Sequence, residues 1–248
     1  MLCGHVGAIA VTDPRSNLLI AALPDPLLQL WLPQLELVNM RVGDVLCESG
    51  GTLSHVYFPT TSVVSLLLVL ESGASAEVAV VGNEGIVGVS SFMGGLSTLS
   101  QVVVQSAGSG FRLPKAAVVQ AFEQDGEVTK LLLRYTQALM TQIAQMAVCN
   151  RHHSLGQRLC RLLLFNMDRL HTQELSMTQE LISNMLGVRR EGVTEAAFEL
   201  QKSGVIKYRR GHISVLDRPA LEQRSCECYA VVTKEYRRLL PEPPVSSR

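Results

Sequence analysis

The sequence lacks paired cysteines and any long uninterrupted apolar run. Its six cysteines stand at positions 3, 47, 149, 160, 226 and 228, without Cys-x-x-Cys spacing, and no signal peptide precedes them. This pattern argues against a disulfide framework, so we expect a reduced, cytoplasmic protein. The apolar stretch over residues 18–38 is interrupted by Pro24, Pro26 and Pro33. It therefore predicts short packing helices rather than a membrane span, and we expect no membrane partner.

The sequence also lacks the residue sets from which active sites are built. No nucleophile, base and orienting group occur together at the spacing of a known motif. The segment GNEGIVG resembles a phosphate loop only in its glycine spacing, because no lysine follows it. We therefore expect that the protein is not an enzyme.

Residues that could bind a metal are few. Cys226 and Cys228 stand two positions apart, and on a continuous helix such a pair points to different faces. His152 and His153 have no second ligand pair at a matching spacing. These patterns favour structural thiols and solvated or capping histidines, so we expect no metal and no cofactor.

The net charge is zero, but the charges are distributed unevenly. Residues 1–150 carry 6 basic and 11 acidic side chains, residues 151–218 carry 11 and 7, and residues 219–248 carry 5 and 4. The excess of positive charge therefore lies within residues 151–218. Phosphate binding needs such a local basic surface, and the acidic remainder limits nonspecific binding.

The first half of the chain predicts β-structure. HVYFP, SVVSLLLVL, AEVAVVG and SQVVVQSA are short runs rich in β-branched residues, and Gly, Ser, Thr and Asn separate them. Runs of this kind are typical of an antiparallel sandwich or barrel.

From Glu127 to about Cys149 the pattern becomes that of a long helix. One seam recurs at alternating steps of three and four: Leu132, Tyr135, Leu139, Gln142, Met146 and Cys149. Such a seam can pack against the chain's own β-domain or against a second copy of the chain. A polar residue inside an apolar seam often fixes the register of two helices, so Gln142 favours a homodimer interface.

The segment from Thr178 to Leu200 predicts two helices joined by a tight turn. Thr178 can cap a helix over residues 179–186, Gly187 ends that helix, and a second helix begins almost at once. Small or apolar residues occupy the positions that a steep crossing requires: Ile182, Ser183, Leu186, Gly187, Val188, Val193 and Ala196.

Basic residues mark both exposed ends of this segment. Arg189 and Arg190 stand at the first turn of the second helix, where the helix dipole does not favour them, so we expect them to point outward. Behind the helix, VIKYRRGHISVLD predicts a β-hairpin with a basic tip. A solvated turn or a helical hairpin within a bundle would explain either feature alone. Helix, turn, helix and basic hairpin in this order indicate a winged helix that binds DNA.

The order of these parts resembles the Crp/Fnr superfamily of bacterial transcription regulators over about residues 17–220. The segments that carry the resemblance are GDVLCESGGTLSHVYFPTTSVVSLL, GNEGIVG, NRHHSLGQRLCRLLL and, most specifically, TQELISNMLGVRREGVTEAAFELQKSGVI. The resemblance implies an α+β fold with an N-terminal antiparallel β-roll of the cyclic-nucleotide-binding type, which is a double-stranded jelly roll. A long dimerisation helix and a C-terminal winged helix-turn-helix follow. We expect a sensor domain with N-terminal helices (1–126), the dimerisation helix (127–150), the DNA-binding domain (151–218), and a C-terminal helix and tail (219–248).

The resemblance also implies which side chains meet DNA. Positions matching Arg190 and Glu191 reach base edges in the major groove, where arginine can bind guanine bidentately and glutamate can accept from cytosine. Positions matching Thr178 and Gln179 hold phosphates. Glu195 departs from the arginine that is common there, so we expect a different half-site. The whole expected DNA-binding set is Thr178, Gln179, Arg189, Arg190, Glu191, Thr194, Glu195, Lys207, Arg209 and Arg210.

The ligand cassette departs further from the family pattern. Cyclic-nucleotide binders of this family hold the ribose with a glutamate after a glycine, and the cyclic phosphate with an arginine before a small hydroxyl residue. Here Val89 follows Gly88, and Leu99 stands on or near the arginine position. Without the cation the main charge-assisted bond is lost, so we expect no cyclic AMP binding in the usual mode. The degenerate pocket would contain Gly88, Val89, Ser90, Ser91, Leu99, Ser100 and Gln101.

Together, the residues and the resemblance predict a sequence-specific DNA-binding transcription regulator. The expected partners are a palindromic double-stranded DNA operator, a second copy of the chain, RNA polymerase and a small-molecule effector whose identity stays open. The alternative is a ligand-sensing regulatory subunit that uses its winged helix for protein contacts. A DNA-binding assay separates the two.

Overall fold

The computed structural model of the chain describes residues 13–95 and 97–241. This part opens with two short helices, α1 (Leu18–Ala21) and α2 (Asp25–Trp31), which confirms the prediction of short packing helices. Asn17 caps α1 through its side-chain oxygen and donates from Nδ2 to the carbonyl oxygens of Pro59 and Gly85. This buried capping residue therefore fixes the N-terminal helices to the β-domain.

The β-domain consists of two antiparallel sheets. Its strands are β1 (Glu36–Met40), β2 (Val45–Cys47), β3 (His55–Pro59), β4 (Val63–Val69), β5 (Ser75–Val81), β6 (Gln101–Ser106) and β7 (Gly108–Pro114). One sheet has the strand order β1-β7-β3 and the other β2-β6-β4-β5. Side chains from both sheets share the apolar interior, which confirms the predicted β-roll. The sequence did not predict β1, β2 or β7, because β1 and β7 are interrupted by polar residues or glycine and β2 is short.

Two helices follow the β-domain, α3 (Lys115–Gln124) and α4 (Gly126–His152). Asp125 lies between them and caps α4, because its carboxylate accepts hydrogen bonds from two N–H groups of the first turn. With 27 residues, α4 is about 40 Å long. The predicted long helix is thus confirmed, whereas α3 was not predicted.

The predicted dimer seam of α4 packs inside the chain, so its assignment to a dimer interface is wrong. Its side chains are at most 5% exposed: Leu132, Tyr135, Leu139, Gln142, Met146 and Cys149. Tyr135 Oη donates to the carbonyl oxygen of Ile86 (3.2 Å), and Gln142 Nε2 donates to that of Val80 (3.0 Å). The polar residue of the seam therefore satisfies a strand of the β-domain and does not set a coiled-coil register.

A different stripe of α4 faces solvent. It repeats at steps of four and three and consists of Leu133, Gln137, Met140, Ala144, Ala147 and Arg151. Leu133 is 45% exposed and Met140 57%, and Val148 beside them is 50% exposed. We call this stripe the exposed seam. Apolar side chains at this spacing on a long helix are typical of contact with another helix.

Residues 155–215 form a second domain with its own apolar core. Its elements are α5 (Leu155–Leu170), β8 (Glu174–Ser176), α6 (Gln179–Leu186), α7 (Arg190–Lys202), β9 (Ile206–Arg209) and β10 (His212–Val215). The strands make an antiparallel sheet of order β8-β10-β9. The predicted helix pair and the hairpin behind it are confirmed, and β8 is an additional strand.

The chain then returns to the long helix. Helices α8 (Arg218–Arg224) and α9 (Glu227–Leu239) follow the hairpin, and α9 packs along α4, where the rings of Tyr135 and Tyr236 meet edge to face at 6.4 Å between centroids. Among the described helices, none has both the length and the apolar character that a membrane crossing requires.

Candidate nucleic-acid interface

The turn between α6 and α7 fixes how the two helices cross. Thr178 caps α6, and its hydroxyl accepts a hydrogen bond from the N–H of Leu181 (3.1 Å). Gly187 ends α6 in the left-handed region with φ of 62°, a conformation that glycine adopts without steric cost. Ile182 and Val193 are fully buried in the core of this domain. The predicted capping residue and turn glycine are therefore confirmed.

The first turn of α7 presents charged side chains to solvent. Arg189 is the N-cap residue, and Arg190 and Glu191 begin the helix; all three are exposed. Gln179 Oε1 accepts hydrogen bonds from Arg190 Nε (3.4 Å) and from Thr194 Oγ1 (3.0 Å). The start of α6 therefore directs the side chains at the start of α7.

The β9–β10 hairpin forms a wing beside this helix start. Its two-residue turn, Arg210 and Gly211, has positive φ at both positions (50° and 81°), which matches the twist of a hairpin. Tyr208 Oη donates to the carbonyl oxygen of Met177 (2.9 Å) and so ties the wing to the segment before α6. The turn glycine Gly211 lies against Thr178, and Gln179 of the same α6 start contacts Arg190. The wing and the start of α7 therefore flank the start of α6. Burial raises the pKa of Tyr208, and the positive charge of Arg190 opposes this rise.

The start of α7 and the wing together make one basic surface, which we define as Arg189, Arg190, Lys207, Arg209 and Arg210. All five side chains are exposed. The ion pairs among the described residues use other cations, for example Arg112 with Glu36 and Arg218 with Asp168. Of the ten residues predicted to meet DNA, nine are exposed and Gln179 is half-buried. The structure brings Gln179, Arg190 and Thr194 into contact and leaves the five cations exposed, so their positive charge is available to phosphates.

Phe198 is an exposed residue of α7 that was not predicted to meet DNA. Its side chain is 60% exposed, and it lies four residues after Thr194 and seven after Glu191, on the same side of α7. The signal was present in the spacing, since the buried positions Val193, Ala197 and Leu200 leave residue 198 outside the core.

A buried cation, Arg169, links the second domain to the β-domain. Arg169 of α5 is 7% exposed and donates from Nε to Glu84 Oε1 (2.8 Å). Its Nη2 donates to the carbonyl oxygen of Val80 (3.3 Å) and to Gln142 Oε1 (3.4 Å). A Cβ on Gly82 would stand 2.7 Å from the side chain of Arg169. The first glycine of GNEGIVG therefore permits a close contact between domains and does not cradle a phosphate.

The ligand cassette contains local hydrogen bonds and no cation. Gly88 begins a short 3₁₀ turn over Val89–Ser91, and Val89 packs against the main core. Ser90 and Ser91 lie in that turn and Ser100 just before β6; all three are half-buried. Gln101 Nε2 donates to Glu48 Oε2 (2.8 Å). No lysine or arginine occurs between Arg41 and Arg112 in the sequence.

The prediction that Leu99 lines the pocket is wrong. Its side chain is 79% exposed and points to solvent. The Leu99 carbonyl oxygen accepts a hydrogen bond from the Ser49 hydroxyl (2.8 Å).

Contrary to the prediction, Cys226 and Cys228 do not point to different faces of one continuous helix. Cys226 is the N-cap of α9 and only Cys228 lies within the helix, so the two thiols are not on opposite faces of one helix. Cys149 Sγ lies 3.4 Å from Cys226 Sγ, and Cys228 Sγ lies 3.4 Å from His153 Nδ1. Residues from the end of α4 and the start of α9 thus form a single cluster, which spacing along the chain could not reveal.

Comparison with known families matches both domains. The profile of the cyclic nucleotide-binding domain matches residues 37–125, and that of the Crp-like helix-turn-helix domain matches residues 157–224. The two matches together cover more than half of the chain. The Global nitrogen regulator of Synechococcus elongatus is 24% identical over 200 residues, which are 77% of this chain and 90% of that protein.

Solved structures share the fold over most of their length. FixK2 from Bradyrhizobium japonicum superposes with a TM-score of 0.65 at 17% identity, covering 77% of this chain and 98% of that one. TTHA1359, a Crp/Fnr-family transcriptional regulator from Thermus thermophilus, gives a TM-score of 0.62 at 21% identity with the same coverages. Both domains and their order agree with these findings, and the chain belongs to the Crp/Fnr superfamily of transcription regulators.

Proposed function

We propose that two copies of this chain form a homodimer that reads a palindromic DNA operator with α7 and the wing. The observation that carries the proposal is the basic surface, where five exposed cations lie at the start of one helix and on the adjacent hairpin. A helix in the major groove can read base edges, while the flanking hairpin contacts the backbone.

The residues of this surface divide into two roles. We assign base reading to Arg190 and Glu191, which Gln179 and the first turn of α7 direct outward, and apolar contact with a thymine methyl to Phe198. Phosphate contact is assigned to Thr178, Gln179, Arg189, Thr194, Lys207, Arg209 and Arg210. Glu195 is exposed on the same helix, and because a carboxylate repels phosphate we assign it to the changed half-site preference and not to phosphate contact.

The dimer forms through the exposed seam of α4. Two copies of this stripe would bury Leu133, Met140, Ala144 and Ala147 against each other, with small residues in the second half allowing close approach. The seam ends at Arg151, next to the domain that carries the basic surface. Pairing along α4 therefore places two recognition helices on either side of one two-fold axis, as an inverted repeat requires.

This arrangement lets us assign a role to each segment of the chain. We assign sensing to residues 1–126, pairing to residues 127–150, DNA binding to residues 151–218 and support of the long helix to residues 219–248. The effector is a molecule other than cyclic AMP, since the cassette offers a phosphate no cation between Arg41 and Arg112. RNA polymerase is the expected partner at the promoter, and the chain itself has no catalytic role.

Selection from random-sequence DNA tests the proposal. Full-length protein should enrich an inverted repeat whose half-site centres lie about one helical turn, roughly 34 Å, apart. Two results together would contradict the proposal. The selection would enrich no palindrome, and the wild-type protein would bind random DNA no more tightly than a variant carrying both Lys207→Ala and Arg209→Ala. That result would favour the regulatory-subunit alternative, in which the wing contacts protein.

A further inference from the structure

Four potential metal ligands meet where the end of α4 touches the start of α9. They are Cys149, His153, Cys226 and Cys228, and their ligand atoms all lie within 4.8 Å of one another. The three cysteines are at most 5% exposed, and the His153 side chain is 14% exposed. Cys149 lies in the last turn of α4, and His153 is the C-cap residue whose N–H donates to the Cys149 carbonyl oxygen (3.1 Å).

The spacing of these atoms suits one tetrahedral ion. With Zn–S bonds of about 2.3 Å, neighbouring sulfur atoms of a tetrahedral site lie about 3.8 Å apart. Two separations in the cluster, Cys149 Sγ to Cys226 Sγ and Cys228 Sγ to His153 Nδ1, are 3.4 Å, and no pair of ligand atoms is more than 4.8 Å apart. Shifts of up to about 1 Å therefore convert the cluster into a Cys₃His site, a ligand set that zinc uses in structural sites.

Neighbouring groups orient two of the ligands. Glu227 Oε2 lies 3.2 Å from His153 Nε2, and a hydrogen bond from Nε2–H to this carboxylate leaves Nδ1 unprotonated and facing the thiols. Gln145 Nε2 donates to Cys228 Sγ (3.3 Å), a contact that suits a thiolate. A carboxylate behind a histidine ligand and a hydrogen bond to a sulfur ligand are the supports that metal sites use.

Two buried arginines lie beside the cluster, and their positive charges favour a negative charge there. Arg158 is 9% exposed and Arg161 2%, and Arg158 Nε together with Arg161 Nε and Nη1 have no hydrogen-bond partner among the described residues. Buried cations are costly when unpaired. Three thiolates around a divalent cation carry a net negative charge, which offsets part of the positive charge of these arginines.

We propose that Cys149, His153, Cys226 and Cys228 bind one Zn²⁺ ion in a tetrahedral site. The ion joins the last turn of α4 to the first turn of α9 and so fixes the C-terminal helix against the long helix, next to the DNA-binding domain. Metal occupancy then stabilises the position of that domain, because the ligands come from both of its flanking elements. This proposal does not depend on the proposed operator or effector.

Cobalt titration of the full-length protein tests the site. The protein is reduced, stripped of metal with a chelator under anaerobic conditions, and titrated with Co²⁺ and then Zn²⁺. We expect one Co²⁺ per chain, with a sulfur-to-cobalt charge-transfer band and the strong visible bands of tetrahedral cobalt, and we expect Zn²⁺ to displace it. Native mass spectrometry of the protein as purified should show one zinc per chain.

Matched variants locate the ligands. Cys228→Ser and Cys149→Ser should each weaken Co²⁺ binding at least tenfold, while Cys47→Ser, which changes an equally buried thiol in the β-domain, should bind as the wild type does. Glu227→Gln should keep the tetrahedral spectrum and lose affinity by roughly 10- to 100-fold. Circular dichroism of each variant establishes that it is folded.

Three results would overturn the proposal. One is the absence of a tetrahedral cobalt spectrum from the reduced wild-type protein, which needs no variant to interpret. Another is binding by Cys149→Ser equal to that of Cys47→Ser. The third is an iron–sulfur absorption spectrum, or a Cys149–Cys226 disulfide in place of metal binding, because either would assign these thiols to redox chemistry.

Discussion

At the scale of single residues, two arginines of the basic surface, Arg190 and Arg209, are expected to affect DNA binding in different ways. Arg190 is directed by Gln179 at the head of α7, whereas Arg209 lies at the end of β9 in the wing. A bidentate arginine contact to guanine depends on the base, and a contact to phosphate does not. The two arginines therefore form a matched pair for mutation.

Arg190→Ala should weaken binding to the selected operator by about 1 to 3 kcal/mol and relax the preference at one base pair. Arg209→Ala should weaken operator and random DNA equally and reduce the slope of log affinity against log salt by about one. Fluorescence anisotropy at several salt concentrations measures both. Equal losses on operator and random DNA for Arg190→Ala would place that residue among the phosphate contacts instead.

Glu77 makes stability depend on pH. It is 3% exposed and accepts a hydrogen bond from Ser65 Oγ (2.6 Å), and burial raises its pKa from 4.5 to about 7. The folded chain thus holds a proton that the unfolded chain releases. The contribution of Glu77 to stability is fully present below pH 4.5 and is lost as pH rises through about 7, which lowers stability above that pH by about 3 kcal/mol.

Glu77→Gln removes this dependence because glutamine keeps the acceptor without the charge. Thermal unfolding should show the variant to be more stable than wild type at pH 8 and similar to it near pH 4.5. Glu71→Gln, at an exposed position in the same β4–β5 hairpin, should leave the pH profile unchanged. A Glu77→Gln protein that is no more stable than wild type at pH 8 would show that Arg161 and Arg169 already compensate the carboxylate.

At the scale of elements, periodicity identified most of the secondary structure but could not choose partners. The helices α6 and α7, the wing and four strands of the β-roll follow from spacing and turn residues. On α4, however, the seam with Leu139 and the exposed seam with Met140 repeat at the same steps of three and four. The sequence cannot tell which stripe meets the β-domain, because that depends on hydrogen bonds to residues far along the chain, such as Val80.

Met140→Glu tests the exposed seam as the dimer contact. Two charges facing each other across the two-fold axis would be desolvated without partners, so the variant should be monomeric and lose specific DNA binding while remaining folded. Met93→Glu is the control, since it makes the same change at a position in the β-domain that is similarly exposed (51% against 57%). Sedimentation of Met140→Glu as a stable dimer would rule out this stripe as the interface.

At the scale of the whole molecule, the domains are joined by few but specific contacts. Arg169 links α5 to the loop at Glu84 and to Gln142 on α4, and the turn at Gly187 lies against Ser75 and Ala76 of β5. The sequence predicted both domains but none of these links, because polar partners separated by many residues leave no periodic signal. A ligand in the β-domain can shift the DNA-binding domain only through contacts of this kind.

Cyclic AMP should change neither the melting temperature nor the DNA affinity. Val89 packs against the core where a ribose carboxylate would be needed, and the cassette lacks a cation for the phosphate. Isothermal titration calorimetry and anisotropy with the operator measure the two effects. Micromolar binding that tightens the operator complex would contradict this expectation, whereas binding without any change in DNA affinity would mean that the site persists without coupling to DNA.

The spacing of the operator tests the central claim, that a dimer reads two half-sites on one face of DNA. Inserting about five base pairs at the centre of the selected operator turns the second half-site to the opposite face of the duplex. Affinity should then fall to that for random DNA, since one half-site alone binds weakly. An affinity unchanged by the insertion would show that the recognition helices do not act as a two-fold pair, and would contradict the account.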